Sequence, residues 1–307
     1  MPPVKVAFID IGTNSIRYLA VSISPSDKFS ILKLGLTAPR LGEGISGSGM
    51  LRKEAMSRAL KTLQNIKTTL EASGVMVFEC AGTEALRKAG NAREFTAAAE
   101  KMGLKIKILS GKQEAELVYL GAAGELKSQG GKMMLADVGG GSTEIITANR
   151  KDKKTELLSL PLGCVRLKEQ FVTPAKMKNH SLNLLRKKWP KPPRNVSLVG
   201  LGGTFTTLAA IHLELPVYRG EKVHGLKLSR KEIDTIFRRL QSLPLKRREE
   251  VIGLPRQRAD IMIPGTIIIR ALLEHTGAEE VTVSDRGFLF GLLRKFLSRL
   301  NFSAGKI

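Results

Sequence analysis

Phe8-Ile9-Asp10-Ile11-Gly12-Thr13-Asn14-Ser15 near the start of the chain and Leu135-Ala136-Asp137-Val138-Gly139-Gly140-Gly141-Ser142 near its middle share one pattern. Each has an apolar pair, an aspartate, a β-branched residue, a glycine, two variable positions and a serine. The first follows the apolar run Val4 to Asp10, and Tyr18 to Ile23 resumes a β-prone pattern after it, so two strands around a glycine turn are predicted. Taken singly, either stretch reads equally as a tight hairpin with a solvated aspartate, because short glycine motifs are common. Its recurrence at the head of two prospective domains is the mark of an internal duplication.

Outward from these turns the chain alternates strand and helix patterns. Leu51 to Ser73 carries apolar residues at helical spacing (Leu51, Ala55, Ala59, Leu63, Ile66), and helices are also predicted at Asn91 to Met102 and Lys112 to Ala123. Val75 to Ala81 and Ile106 to Leu109 read as strands between them. A polar, Gly-rich stretch at Glu125 to Lys132 marks a boundary, giving domains at 1–124 and 125–297. The second half continues with strands at Glu156 to Leu160, Leu198 to Gly203 and Val281 to Ser284. Helices are predicted at Val165 to Phe171, Thr204 to His212, Arg230 to Leu243, Arg258 to Glu274 and Phe288 to Leu300. Such alternation defines an α/β class.

The 307 residues carry 50 Lys+Arg against 28 Asp+Glu, a net charge of +22, which attracts polyanions without specifying a fold. Aromatics are 5% of the chain and no basic–aromatic stretch interleaves, which argues against single-strand nucleic-acid stacking and any specific nucleic-acid partner. Two cysteines, Cys80 and Cys164, make neither a disulfide framework nor a zinc cluster. Met1-Pro2-Pro3-Val4 enters a strand pattern without signal-peptide architecture, and the longest apolar stretch, Val196 to Val217, is broken by glycines, His212 and Glu214. The expectation is a cytoplasmic protein with no membrane partner.

The Asp-x-Gly turns have a definite chemistry. Glycine lets backbone N–H groups converge on an anion, and a carboxylate beside that anion requires a hard cation such as Mg²⁺ between them. Ser142 and Thr143 add hydroxyl donors and Glu144 a second carboxylate. Gly200-Leu201-Gly202-Gly203-Thr204 is a third glycine-rich strand-to-helix junction, either an anion site or tight helix–sheet packing. Read as residues alone, Glu114 and Glu116 compensate a helix dipole or cap it, Arg87 is a solvated helix residue, and His212 packs partly buried. His224 is a lone histidine with a weak phosphate signal.

Taken in order, the motifs resemble the exopolyphosphatase / guanosine pentaphosphate phosphohydrolase (Ppx/GppA) family over nearly the whole chain. They are Asp10-Ile-Gly-Thr-Asn-Ser-Ile-Arg17, Arg40-Leu-Gly-Glu-Gly44, Ala81-Gly-Thr-Glu-Ala-Leu-Arg87 with Asn91, and Ser110-Gly-Lys-Gln-Glu-Ala-Glu116. Asp137-Val-Gly-Gly-Gly-Ser-Thr-Glu144, Leu162-Gly-Cys-Val-Arg-Leu167, Gly200-Leu-Gly-Gly-Thr-Phe-Thr-Thr207, Pro255-Arg-Gln-Arg-Ala-Asp260 and Val283-Ser-Asp-Arg-Gly287 complete the set. The resemblance implies two actin-like (ribonuclease H-like) α/β domains of the sugar kinase/heat-shock chaperone/actin superfamily around a central cleft. It implies the short form without a C-terminal HD-like extension, with a final helix near 298–307 packing back on the first domain. Glu114 is then the base that activates water, Asp137 and Glu144 serve the metal or the water, and Asp10 faces them as a further metal-site carboxylate. Mg²⁺ or another divalent cation is the implied cofactor. Gly12, Thr13, Asn14, Ser15, Gly139, Gly140, Gly141, Ser142 and Thr143 hold phosphate, Arg17 and Arg87 contact it, and Gly202, Gly203 and Thr204 form the third junction. The implied activity is release of terminal phosphate from inorganic polyphosphate; the alternative is removal of the 5′ γ-phosphate of guanosine pentaphosphate, with guanosine penta- or tetraphosphate as a ligand. A catalytically weak polyphosphate or alarmone binder is the reading from another class, and a homodimer is implied by analogy.

Overall fold

The computed structural model describes residues 3–25, 28–122, 132–149, 154–193 and 196–304. The Gly-rich stretch read as a boundary lies, up to residue 131, outside the described residues. The chain divides into two compact units, Met1–Gly121 with Phe288–Ile307, and Ala122–Gly287.

The first unit is built on a five-stranded sheet in the order β3-β2-β1-β4-β5. Its strands are β1 (Val4–Ile11), β2 (Ile16–Ile23), β3 (Phe29–Thr37), β4 (Met76–Gly82) and β5 (Ile106–Ile108). β1 is Val- and Ile-rich and is buried from Val6 onward, as suits a central strand covered on both faces. Ala7, Ile9 and Ile11 share a core with Ala59, Leu63, Ile66 and Leu70 of the helix Lys53–Ala72. Each such large side chain contributes ~1.5–3 kcal/mol of burial. On the opposite face, Phe8 meets Phe296 of the helix Phe288–Ala304 edge to face, with ring centres 5.8 Å apart. That whole helix, from Phe288 onward, belongs to the first unit.

The second unit has a six-stranded sheet in the order β10-β11-β9-β6-β7-β8. Its strands are β6 (Lys132–Val138), β7 (Thr143–Asn149), β8 (Lys154–Leu160), β9 (Ser197–Leu201), β10 (Lys227–Ser229) and β11 (Glu280–Val283). Leaving aside β10, the order β8-β7-β6-β9-β11 repeats that of the first sheet, and so do the directions. β1 and β6 each pair antiparallel with the next strand and parallel with β4 and β9 respectively. The repeat seen in eight residues of sequence therefore extends to a whole sheet.

A strand and a long helix are among the elements that the sequence did not make legible. β3 follows β2 after a short turn, and it sits at a sheet edge where no core-facing alternation marks it. The basic stretch before Trp189 closes a helix, Pro174–Lys188, with Thr173 as N-cap and Pro174 in its first turn. Its charged face hides a buried stripe of Met177, Leu182 and Leu185.

Candidate active site

The two Asp-x-Gly turns close in the same way. The Gly12 N–H donates to the Ser15 carbonyl at 3.0 Å, and the Gly139 N–H to the Ser142 carbonyl at 2.9 Å. A Cβ on either glycine would press on that serine oxygen, at 3.2 Å and 3.1 Å. In both turns the carbonyl oxygens are committed elsewhere. Thr13 and Asn14 accept from the N–H groups of Gly42 and Arg40, the latter held at a left-handed φ of 56°. Gly139 and Gly140 accept from Cys164, Val165 and Arg166 at the start of a helix, Cys164–Gln170, that Gly163 lets approach because it has no Cβ to strike Gly140. Carbonyls that would repel an anion are thus directed into the fold.

Asn14 is 6% exposed, and both its amide oxygen and its amide nitrogen are buried without a hydrogen-bond partner. Leaving such a group unsatisfied costs about 1–3 kcal/mol.

Behind the first turn, Asp10, next to the last residue of β1, lies directly opposite Arg17 on β2. The guanidinium donates to Asp10 Oδ2 through Nε at 2.9 Å and through a terminal nitrogen at 2.5 Å. Arg87 is not a solvated helix residue. It donates to Glu84 Oε2 at 2.6 Å, to Glu114 Oε2 at 3.1 Å and to the Leu109 carbonyl at 2.7 Å. Burial works against its charge, but Glu114 and Glu84 outweigh that and raise its pKa. Nor does Glu114 cap its helix, Gly111–Ala122. Ser110 and Gln113 do so reciprocally, the Ser110 N–H donating to Gln113 Oε1 at 2.9 Å and the Gln113 N–H to Ser110 Oγ at 3.2 Å. With the cap supplied, Glu114 is spare for the ion pair, while Glu116 is exposed.

In the second unit the position facing Asp137 is taken by Glu144 on β7, with 8% and 2% of the two residues exposed. Ser159 Oγ donates to Glu144 Oε1 at 2.9 Å. Like charges directly opposite on a sheet repel, and a cation between them removes the penalty. No cluster of three or more His, Cys, Asp or Glu side chains gathers among the described residues. Mg²⁺ characteristically uses one or two carboxylates, completing its shell with water and substrate phosphates, and this pair fits that demand.

At the third glycine-rich junction the backbone packs closely against two charged side chains, one of the two alternatives read from the sequence. Gly202 has φ 82°, and a Cβ there would land on Asp137 Oδ1; a Cβ on Gly203 would land on the Arg258 guanidinium. The two glycines seat an acid and a buried base at the start of the helix Gly202–His212. Thr204 Oγ1 donates to the Val138 carbonyl at 3.3 Å, and Thr143 Oγ1 to the Leu162 carbonyl, so these two of the hydroxyls expected at phosphate are engaged with backbone. His212 is exposed rather than packed, 3.6 Å from Glu232 at the helix end. His224 Nδ1 lies 3.4 Å from Ser284 Oγ. Three residues escaped the sequence reading: Glu84, Arg258, and Arg166, whose Nε donates to the Gly141 carbonyl at 2.8 Å. Each lies inside a quoted motif, but only the folded chain shows which neighbour it meets.

Twin sheets of this order, each with an Asp-x-Gly turn at the end of its central strand, define an actin-like, ribonuclease H-like α/β fold. The model of the Ppx/GppA phosphatase family matches residues 21–300, and the chain belongs to that family. It is 30% identical to exopolyphosphatase 2 of Mycobacterium tuberculosis, over 94% of this chain and 97% of that protein. It is also 30% identical to the bifunctional 3-dehydroquinate synthase/phosphatase of Fusobacterium nucleatum, of which it spans only 46%. A crystal structure of the Aquifex aeolicus Ppx/GppA family member superposes with a TM-score of 0.77 at 30% identity, covering 98% of this chain and 99% of that one. No helix among the described residues is long and apolar enough to cross a membrane.

Proposed function

We propose that this protein is an exopolyphosphatase, removing the terminal phosphate of inorganic polyphosphate by attack of water. The observation that carries the reading is Glu114: it is freed from capping by Ser110 and Gln113 and held through Oε2 by Arg87. The likeness to exopolyphosphatase 2 along 97% of that protein supports the substrate, and the net charge of +22 suits a polyanion.

In this reading the turns at Gly12–Ser15 and Gly139–Ser142 bind phosphate oxygens through backbone N–H groups, and the amide of Asn14 donates to one of them. Arg87 fixes the orientation of Glu114 and contributes positive charge. Glu114 takes a proton from water as its oxygen bonds to the terminal phosphorus; the bridging P–O bond breaks and the shortened chain departs with its electrons. Asp137 and Glu144 would hold the divalent cation, which supplies charge neutralisation for the phosphates. Asp10, bound by Arg17, serves as an anchor for that arginine beside the first turn. Positioning and electrostatics supply most of the catalysis in such reactions.

The test is phosphate release in Mg²⁺ from long-chain polyphosphate, short-chain polyphosphate and guanosine pentaphosphate at matched salt. The expected result is the highest kcat/KM on polyphosphate, falling as salt rises. A higher kcat/KM on the nucleotide would replace polyphosphate as the substrate, and binding without release of phosphate from any of the three would make the chain a sensor.

A further inference from the structure

Glu84 and Glu114 share one guanidinium, and they share it unequally. Glu84 Oε2 takes one terminal nitrogen of Arg87 to itself at 2.6 Å. Glu114 Oε2, at 3.1 Å, divides the other with the Leu109 carbonyl at 2.7 Å. All three side chains are mostly withdrawn from water, with 8% of Glu84, 13% of Glu114 and 21% of Arg87 exposed. Two acids thus face one base where solvent screens little.

A pair three residues apart on a helix is ordinarily a solvated contact that contributes little. Arg247 and Glu250 make one of that kind, with 70% and 59% of their side chains exposed. Glu84 differs. It stands in the first turn of the helix Glu84–Lys88, whose N-cap Thr83 makes no side-chain cap bond, and its carboxylate turns to Arg87. Stability gives no reason for it there. Glu114 alone would neutralise the arginine, and a second buried acid adds a desolvation cost.

What the second acid changes is the charge that Glu114 feels. A carboxylate paired one to one with an arginine binds a proton poorly, because the cation favours its ionised form. A general base needs a proton affinity near the working pH. We infer that Glu84 is a positioning residue for the proposed hydrolysis: it ties up one guanidinium nitrogen and offsets the Arg87 charge, so that Glu114 is held in place and left basic. The inference rests on Glu114 as the base of the proposed exopolyphosphatase reaction and adds the group that sets its strength.

The elements that meet Glu114 carry other charges. Lys112 and Glu116 on its own helix, Lys88 beside Arg87 and Lys107 on β5 are all exposed. Arg294 and Lys295 are half-buried on the helix Phe288–Ala304, which packs against it where Gly291 meets the Leu117 carbonyl. Replacing Glu84 leaves every one of them in the chain, so a difference between wild type and variant reads the contribution of Glu84.

Carbon-13 NMR of the glutamate carboxyls in the full chain without substrate tests this, with the Glu114 signal assigned by its loss in Glu114→Gln. Glu84→Gln keeps the reach to Arg87 but removes the charge, and is expected to lower the pH at which Glu114 titrates by about one unit. Glu84→Asp keeps the charge and should titrate closer to wild type. In phosphate release from polyphosphate at saturating Mg²⁺, the acid limb of the kcat profile of Glu84→Gln should move down in the same way. Its plateau kcat should fall about three- to tenfold while KM holds. A Glu114 titration that is the same in wild type and Glu84→Gln overturns the inference, as does a shift in Glu84→Asp as large as in Glu84→Gln. A fall in kcat with no movement of the acid limb overturns it too, leaving Glu84 a structural partner of Arg87. Absence of phosphate release in the wild type, with the titration shift present, overturns the exopolyphosphatase reading and upholds the coupling of Glu84 to Glu114.

Discussion

Asp137 and Glu144 face one another across β6 and β7 at the register position where the first unit sets Asp10 opposite Arg17. The duplicated scaffold has thus diverged at one residue. One copy sets an arginine across from its aspartate, and the other sets a glutamate there. In the proposed function the first anchors an arginine beside the phosphate and the second would hold the divalent cation. Asp137→Asn and Glu144→Gln are expected to raise the Mg²⁺ concentration for half-maximal activity about tenfold or more. Unchanged metal dependence in both variants would remove the pair from the metal site.

Glu114→Gln keeps the shape and hydrogen-bonding reach of the side chain but cannot accept a proton. Loss of the base costs roughly 10²–10⁴ in kcat, with polyphosphate affinity retained. The check is single-turnover phosphate release beside equilibrium binding; near-wild-type turnover would show that another group activates the water.

Arg87 joins Glu84, Glu114 and the Leu109 carbonyl in one forked contact that lysine cannot reproduce. Arg87→Met leaves two largely buried acids without their cation and is expected to cost about 2 kcal/mol or more in urea unfolding. Arg87→Lys should recover most of that stability but little of the activity, which separates charge from geometry.

Gly202 and Gly225 have nearly the same left-handed φ, 82° and 84°, but very different surroundings. Nothing lies within 4 Å of a Cβ at Gly225, whereas one at Gly202 collides with Asp137. Gly225→Ala should cost only the backbone strain, about 1–2 kcal/mol, and leave activity intact. Gly202→Ala should cost more and displace the Asp137 carboxylate, so its activity falls as well. Equal effects of the two on kcat would refute the seating of Asp137 by Gly202.

Burial, with Glu79 adding to it, pushes the Cys80 thiol from its ordinary 9.0 up to about 12. Cys164 is raised too, by burial that the nearby Arg258 only partly opposes. Below pH 9 both thiols are protonated whether the chain is folded or unfolded, and they contribute nothing to pH dependence. Above it the unfolded chain releases protons that the folded chain keeps, so stability falls as pH rises, by about 1.4 kcal/mol per pH unit for each thiol. Cys80→Ala should flatten this slope between pH 9 and about 12 in urea midpoints.

Much of the scaffold was written in local pattern. The duplicated Asp-x-Gly turns, the apolar strand runs before them and the helical spacing from Leu51 to Ile66 depend on neighbours a few residues apart, so they could be read in order along the chain. What the line of residues could not show was which side chain meets which. Arg87 and Glu114 are 27 positions apart, and their ion pair exists because β4 and β5 lie side by side and bring the helices that follow them together. Gly202 looked like a phosphate-binding glycine, yet its missing Cβ makes room for Asp137, which arrives from β6 because β6 and β9 are parallel neighbours. The apolar face of β3 needed a bulge to bring Phe29 and Leu36 to the same side, a phase shift that alternation in sequence conceals. Local chemistry set the turns and the elements. The packing of distant strands decided which charges are satisfied and which surface is left open.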